Sequence, residues 1–207
     1  SSFSAQLDDA LNVHGIYTRV LQKNKNQIVV QYMHPQAKGL NVYSVGEEIS
    51  VVDPLTLLPK TTHKITEVEV LNIDCTLLSL EGGTADITVG DDVENITRSP
   101  EVLFENNRVT YNRARGILLG SRGKTVIRNN YFNTAGAAVL FESNGSFWFE
   151  SGAVQQVEIT NNVFENCRYG AWCSAVIEVA PREKTEPNRY YHGKILVQNN
   201  IFHNCKL

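Results

Sequence analysis

The sequence lacks any hydrophobic run long enough to cross a bilayer. Its longest uncharged apolar stretch, around Ala135 to Phe141, is far shorter than the ~20 residues that a membrane-spanning helix needs. The chain also lacks an initiating Met and a secretion leader, because it starts with Ser1-Ser-Phe-Ser-Ala-Gln6. We therefore expect no membrane span, and we interpret the chain as a fragment or a processed form whose targeting signal has been lost.

The sequence has no strong excess of charge of either sign. Its 207 residues have a formal net charge of -3, and 20% of them are charged. A mildly acidic surface repels nucleic acid and anionic membranes, so neither is expected as a partner and a neutral ligand fits better. The hydrophobic content of 42% is enough for one good core or two small ones, which predicts a folded chain.

Cysteine is scarce and is not spaced for metal binding. The four cysteines form no C-x-x-C pair and have no histidine at zinc-ligand spacing, so no zinc site is predicted. No phosphate-cradling or dinucleotide-binding glycine motif is present either, and no cofactor is expected. Cys167 and Cys205 follow Asn-Asn pairs at the same distance. They are therefore expected in neighbouring repeats, either as a disulfide or as two buried thiols.

A repeat with an Asn-Asn pair is present throughout the second half of the sequence. In each copy a two-periodic apolar segment leads into the pair and further apolar residues follow, as in Val157-Glu-Ile-Thr-Asn-Asn-Val-Phe164. The pairs are 23, 32 and 38 residues apart, and the shortest interval suits one solenoid coil. The pairs begin at Asn106, Asn129, Asn161 and Asn199.

This repeat predicts an all-β fold, a right-handed parallel β-helix. Alternating apolar residues indicate strands with one buried face, and asparagine supplies a bend because it tolerates the left-handed backbone conformation. Short strands at this period bury their faces only when the coils stack, and the equivalent asparagines then form amide ladders. The competing architecture is a β-sandwich with Asn-rich turns, which needs no recurring residue identities.

The segment between Ile16 and Asp92 is different in character. Its short β-like runs are separated by turn-forming segments that contain Pro35, Pro54, Pro59 and Gly82-Gly83. These features predict a small antiparallel β-barrel that interrupts the β-helix. The predicted domains are a coil at 1–15, an inserted barrel at 16–92 and further coils at 93–207. The ends of the insertion must lie close together, and an exposed end of the coil would favour self-association.

The segment from Leu7 to Gly15 concentrates two carboxylates, an amide and an imidazole, of which the Asn12 amide and the His14 imidazole are predicted to bind substrate. Asp8, Asp9, Asn12 and His14 lie on one predicted coil strand. Glycoside hydrolysis needs one carboxyl group to protonate the leaving oxygen and another to activate water or attack carbon. Alternate side chains on a strand point to opposite sides, so only a local bend would bring both aspartates to one substrate. The alternative interpretation is that the Asp pair forms a turn or a cap.

Further polar residues lie near the same face and are predicted to bind substrate: Arg113, Arg115, Arg122 and Glu142. Each is also compatible with a solvated surface charge, and Arg122 in Gly120-Ser-Arg-Gly-Lys124 also fits a plain turn.

Insertions at one phase of the repeat carry aromatic residues. Loops at 143–152 and 180–193 contain Phe147, Trp148, Phe149, Tyr190 and Tyr191. Insertions at one phase project from one face of a solenoid, which is often the binding face, and Trp148 is predicted to bind sugar. The alternative is that these rings fold back and cover the coil.

Four of these segments together resemble glycoside hydrolase family 110: Asp8 to Gly15, Arg113 to Arg122, Ala137 to Glu142 and Phe147 to Glu150. The resemblance implies a bacterial enzyme, secreted, periplasmic or on the cell surface. Such an enzyme removes terminal α-1,3-linked galactose with inversion, and its β-helix is interrupted by a barrel.

The same resemblance makes Asp8 and Asp9 the catalytic pair, without assigning the acid and the base. It also implies a further carboxylate upstream of this chain, so that the chain alone would hold only part of the active site. An alternative from another class is a glycan-binding β-helix without catalysis, such as an adhesin. A β-helix polysaccharide lyase would need a basic cleft for uronates, which the sequence does not provide.

Overall fold

The computed structural model describes residues 1–170, 172–186 and 188–206. Ala171, Pro187 and Leu207 lie outside the described residues. They belong to a predicted strand, to the second insertion and to the last coil, respectively. The first coil contains β1 (Ser2–Ser4), β2 (Leu11–Val13) and β3 (Gly15–Ile16). The strands that follow are β4 (Thr18–Lys23), β5 (Gln27–Tyr32), β6 (Glu48–Val52), β7 (Pro59–Val70), β8 (Cys75–Leu80) and β9 (Asp92–Asn95).

The later coils contain the remaining strands. These are β10 (Val102–Glu105), β11 (Arg108–Thr110), β12 (Ile117–Leu119), β13 (Thr125–Arg128), β14 (Tyr131–Asn133), β15 (Val139–Phe141), β16 (Glu150–Ser151), β17 (Gln156–Thr160), β18 (Val163–Glu165), β19 (Ile177–Val179), β20 (Lys194–Gln198) and β21 (Ile201–His203). A single 3-10 turn, Pro35–Ala37, is the helical element among the described residues.

Corresponding strands of successive coils stack in parallel. In the described part of the chain one sheet has the order β1-β11-β14-β18-β21, a second β10-β13-β17-β20 and a third β19-β15-β12-β2. In the first of these sheets Val109 is opposite both Phe3 and Phe132. The predicted parallel β-helix is therefore confirmed, and the β-sandwich is excluded.

The Asn-Asn pairs turn the chain between the first and second strands of a coil. The first asparagine of each pair is in the left-handed conformation, with φ between 54° and 57°, which asparagine tolerates better than most residues. The second asparagines, Asn107, Asn130, Asn162 and Asn200, form the predicted ladder. In it each Nδ2 donates to the next Oδ1 at 3.0 to 3.2 Å.

Aromatic and aliphatic side chains fill the interior of the coil. Phe132 and Phe164 stack with ring centroids 5.3 Å apart, and Phe202 continues the stack 4.9 Å from Phe164. Cys167 and Cys205 are free thiols. Their Sγ atoms donate to the backbone oxygens of the preceding coils. Of the two expected states, a disulfide or two thiols, the structure has the two thiols.

Strands β4 to β9 form a closed antiparallel barrel in the order β4-β5-β8-β7-β6-β9. Strand β9 pairs with both β4 and β6 and so completes the barrel. The predicted fold class, a β-helix interrupted by a barrel, is confirmed. The domain boundaries at residues 16 and 92 stay predictions.

The barrel and the β-helix meet at a junction beside the first insertion. Thr18 pairs with Val93, so the two ends of the barrel are adjacent. Arg19 donates to Asp92 Oδ1 at 2.9 Å and to the backbone oxygen of Gly145 at 2.9 Å. Arg19 thus connects the end of the barrel to the insertion that contains Trp148.

Buried side chains complete this junction. The hydroxyls of Tyr17 and Tyr191 are 3.0 Å apart, and Tyr191 donates to Ser143 Oγ at 2.7 Å. Tyr17, Phe149 and Tyr191 pack in one apolar cluster with barrel residues. Phe149 and Tyr191 therefore follow the alternative interpretation, in which the rings of the insertions fold back. Both rings cover the junction, while Phe147, Trp148 and Tyr190 remain exposed.

Candidate active site

An open cavity of about 310 Å³ lies where the first coil, the first insertion and the barrel meet. Its lining combines carboxylates, amides, one guanidinium and one large aromatic ring. The lining residues are Asp8, Asp9, Asn12, Gln36, Arg115, Leu118, Glu142, Trp148 and Glu150.

Parallel stacking explains why residues far apart in sequence reach this cavity. Strands β2, β12 and β15 are neighbours, with Asn12 opposite Leu118 and Leu118 opposite Leu140. Arg115 precedes β12 and Glu142 follows β15, so both side chains lie at the ends of adjacent strands. Because successive coils have the same course, polar residues that flank equivalent strands lie on one side of the solenoid.

Asp8 and Asp9 lie in a bend before β2 rather than on a strand. The strand placement predicted for them is wrong, because the Asp9 N–H donates to Asp8 Oδ1 at 3.0 Å and turns the backbone there. A local bend is what allows both aspartates to face one substrate, and both of them line the cavity. Asp8 therefore also acts as a turn cap, as the alternative interpretation proposed.

Asp9 is held by Arg115. Both the backbone N–H and the Nε of Arg115 donate to Asp9 Oδ1 at 2.9 Å, and the Asp9 side chain is 4% exposed. Burial raises the pKa of Asp9 above its usual value, while the charge and the hydrogen bonds of Arg115 oppose that increase. Asp9 is thus a fixed carboxyl group whose protonated form is favoured by burial.

Two glutamates complete the acidic lining. Glu142 is 8% exposed, and its Oε2 is 3.2 Å from Arg182 Nε. Glu150 Oε1 is 3.4 Å from both Asn12 Nδ2 and His14 Nε2. Several carboxyl groups in different surroundings around one cavity provide the chemistry that acid–base hydrolysis requires.

The structure brings together six of the nine predicted site residues: Asp8, Asp9, Asn12, Arg115, Glu142 and Trp148. The other three lie outside this lining. His14 Nε2 is 3.4 Å from Glu150 Oε1, Arg113 Nε donates to the backbone oxygen of Leu7 at 2.9 Å, and Arg122 pairs with the buried Glu94. Arg122 thus belongs to the junction with the barrel, and a role in substrate binding for these three stays a prediction.

Gln36 and Glu150 also line the cavity, although neither was predicted from the sequence. Gln36 comes from the 3-10 turn of the barrel, and no sequence pattern connects that turn to the coil. Glu150 belongs to the segment Phe147 to Glu150, which carried the family resemblance. Because it follows Trp148 by two residues, the sequence could have indicated it as a lining residue.

The described residues contain no cluster of three or more His, Cys, Asp and Glu side chains able to hold a metal ion. Within the same residues, no helix has the length and apolar character needed to cross a membrane.

Two family models match the chain. The model described as GLAA-B beta-barrel domain II matches residues 27–93, and the model described as right handed beta helix region matches residues 79–176. These matches agree with the barrel and the coils described above. The second description also supports the right-handed coil that the repeat predicted.

Curated proteins match almost the whole chain. It is 34% identical to alpha-1,3-galactosidase A of Shewanella woodyi, over 97% of the chain and 33% of that protein. It is 34% identical to alpha-1,3-galactosidase B of Akkermansia muciniphila, over 97% of the chain and 26% of that protein. Alpha-1,3-galactosidase B of Bacteroides thetaiotaomicron is 31% identical, over 98% of the chain and 34% of that protein. The chain thus spans about a quarter to a third of these relatives.

Proposed function

Because the chain is homologous over nearly its full length to part of proteins named alpha-1,3-galactosidase, we propose that it forms part of a glycosidase that removes terminal α-1,3-linked galactose from glycans. The observation that carries the proposal is the tandem Asp8–Asp9 bend, which opens on one cavity with Glu142 and Arg115. We assign the catalytic carboxyl groups to Asp8 and Asp9.

The proposed mechanism is inverting and uses two carboxyl groups as acid and base. Such a pair is ~6.5 to 9.5 Å apart, which leaves room for the attacking water. Two adjacent aspartates do not guarantee that separation, so Asp8 and Asp9 act together with a further carboxylate of the complete site. Glu142 lines the cavity, and a carboxylate from a further segment of the enzyme is the other source. If the further segment supplies it, the chain alone is inactive.

The surroundings of the cavity support a sugar substrate. Trp148 offers an apolar ring, and Asn12, Gln36 and Arg115 offer hydrogen-bond donors. Sugar binding sites commonly combine an apolar face with a few fixed polar groups. From the resemblance to glycoside hydrolase family 110 we also propose a secreted, periplasmic or cell-surface location.

The test compares the 207-residue chain with the complete natural protein that contains it, using p-nitrophenyl α-galactoside and an α-1,3-linked digalactoside. We expect turnover by the complete protein. Asp8→Asn or Asp9→Asn should lower kcat by about 100-fold or more, because each removes a proton-transferring or charge-stabilising group. Glu69→Gln, which changes an exposed barrel carboxylate, is the matched control and should leave kcat unchanged.

Two further readouts separate the alternatives. Proton NMR of the first-formed sugar should show β-galactose, because inversion at an α-linkage gives the β-anomer. Full turnover in both Asn variants would contradict the assignment of Asp8 and Asp9. Glycan binding without any turnover by the complete protein would favour the non-catalytic glycan-binding alternative, in which Asp8 serves only as the turn cap.

A further inference from the structure

The two ends of the second insertion, residues 180–193, converge on one short segment of the coil. Near its start, the Arg182 N–H donates to the Ser143 backbone oxygen at 2.8 Å. Near its end, the Tyr191 hydroxyl donates to Ser143 Oγ at 2.7 Å. Because Ser143 is fully buried, water does not compete for these bonds. The insertion therefore fixes the chain directly after Glu142.

The middle of the same insertion is tied to the barrel. The N–H groups of Lys184 and Thr185 both donate to the Leu55 backbone oxygen, at 2.7 and 3.0 Å. Arg182 thus lies between two anchored points, one on the coil and one on the barrel. Because backbone groups make these bonds, the position of the Arg182 backbone does not depend on its own side chain.

The Arg182 side chain pairs with Glu142. Arg182 Nε is 3.2 Å from Glu142 Oε2, and Glu142 is buried while Arg182 is partly accessible to solvent. Glu142 lines the proposed active-site cavity, whereas Arg182 does not. The guanidinium therefore contacts the carboxylate without occupying the space that a sugar would fill.

The cavity has more acidic side chains than basic ones. Four carboxyl groups line it: Asp8, Asp9, Glu142 and Glu150. One guanidinium, that of Arg115, lines it as well, and it is engaged in two hydrogen bonds with Asp9. Because like charges repel one another, Glu142 needs a counter-ion of its own. Among the described residues, Arg182 is the basic side chain that pairs with it.

We propose that Arg182 is a positioning residue for galactoside hydrolysis and that it acts through Glu142. Its guanidinium balances the charge of the Glu142 carboxylate and holds it in one orientation towards the sugar in the cavity. A misplacement of about 1 Å in a group that contacts the substrate lowers a rate by up to about 100-fold. The assignment rests on the proposed galactosidase function, and it gives the second insertion a role in a site that it does not line.

The experiment is a double-mutant cycle on the complete protein, with the α-1,3-linked digalactoside as substrate. Arg182→Met keeps the apolar stem of the side chain and removes its charge. It should lower kcat/KM about tenfold, or about 1.4 kcal/mol, and Arg182→Lys, which keeps the charge, should recover part of that loss. In the Glu142→Gln background Arg182→Met should have no further effect, because the two residues act through one contact.

A second readout does not require activity in the Glu142 variant. Arg182→Ala leaves space beside Glu142 for a guanidinium ion, so millimolar guanidinium chloride should restore part of the lost kcat/KM, and the same concentration of sodium chloride should not. Arg189→Ala is the matched control, because Arg189 belongs to the same insertion but donates to the Pro59 backbone oxygen at 3.0 Å. It should leave kcat/KM unchanged with either salt.

No loss in Arg182→Met would overturn the positioning role. An equal loss with and without Glu142→Gln would also overturn it, since Arg182 would then support only the structure of the insertion. If Glu142→Gln has no measurable turnover, the absence of any rescue by guanidinium is the contradicting result. Failure of the unmodified complete protein to hydrolyse the digalactoside would remove the galactosidase function, and the positioning role with it.

Discussion

Burial and charge act in opposite directions on Asp9. The carboxyl group is almost inaccessible to solvent, which favours its protonated form, whereas Arg115 favours its ionised form through two hydrogen bonds and its charge. Burial is the larger effect, so the pKa of Asp9 lies above its ordinary value. Arg115 therefore limits how far that increase goes.

Arg115→Gln should move the titration of Asp9 to higher pH. The substitution removes the positive charge and the Nε donor, both of which lower the pKa of Asp9, while the surrounding coil still buries the carboxyl group. The measurement is a carbon-detected NMR titration of the aspartate carboxyl groups in the 207-residue chain, with Asp9→Asn identifying the resonance.

Arg113→Gln is the matched control for this titration. Arg113 lies two positions away and bonds to the backbone of Leu7 rather than to a carboxylate, so its loss should leave the Asp9 midpoint in place. An Asp9 midpoint that stays constant or falls in Arg115→Gln would show that Arg115 does not favour the ionised form.

Single residues of the site were predictable where local sequence decides their position. The tandem aspartates and Asn12, three positions further, could be predicted as site residues because one short bend brings all three to the cavity. Arg122 and Gln36 were not predictable, since their positions depend on how the barrel docks on the coil. Arg122 pairs with Glu94 in the barrel's last strand, a contact that no spacing in the sequence indicates.

At the scale of elements, the asparagine ladder joins the coils through fully used amides. Asn162 Oδ1 accepts the backbone N–H and the Nδ2 of Asn130 at 2.9 and 3.0 Å. Its own Nδ2 donates to the Ile127 backbone oxygen and to Asn200 Oδ1, each at 3.0 Å. Because Asn162 is 1% exposed, water does not replace these bonds when the side chain is lost.

Asn162→Ala should destabilise the fold by about 2–4 kcal/mol, because it removes the acceptor of the Asn130 backbone N–H and the side-chain donor to the Ile127 oxygen, both on the preceding coil, and weakens the link to Asn200. Urea unfolding of the 207-residue chain measures the change. Asn161→Gly is the matched control, since glycine adopts the left-handed conformation of that position readily, and its effect should stay within about 1 kcal/mol. Equal losses in the two variants would mean that the ladder amide contributes nothing specific.

Elements were predictable to the extent that a repeat or an apolar alternation marks them. Asn106, Asn129, Asn161 and Asn199 identified the coils because each provides the left-handed residue of its turn. Strand β9, Asp92–Asn95, was not predicted as a strand because it is short and carries two acidic residues. Its burial depends on pairing with β4 and β6, which are distant in sequence.

At the scale of the whole molecule, the barrel and the coil are connected through a buried charge. Asp92 is inaccessible to solvent and holds Arg19, which in turn bonds to Gly145 in the insertion that contains Trp148. Burial raises the pKa of Asp92 to about 7, with Arg19 acting against that increase. The junction is therefore sensitive to pH near neutrality.

The stability of the native chain should fall as pH rises from about 4 to about 7, relative to that of Asp92→Asn. In this window the folded state keeps a proton on Asp92 that the unfolded state has released, since the pKa is 3.8 without the fold and about 7 within it. The contribution is on the order of a few kcal/mol and is lost above the folded pKa. Chemical unfolding at several pH values measures it.

Glu81→Gln serves as the control for this pH series, because Glu81 is an exposed carboxylate of the barrel, and its pH profile should follow that of the native chain. If the native chain and Asp92→Asn differ by a constant amount across the series, Asp92 does not hold the additional proton.

The adjacency of β4 and β9 also has a consequence for the order in which the molecule assembles. Ser4 and Thr110 are partners although 106 positions separate them, and closing a flexible loop of that size costs about 4 kcal/mol of chain entropy. A barrel that has already formed leaves only the segments 5–17 and 96–109 to be ordered. We therefore expect the first coil, and with it the Asp8–Asp9 bend, to dock more readily once the barrel has folded.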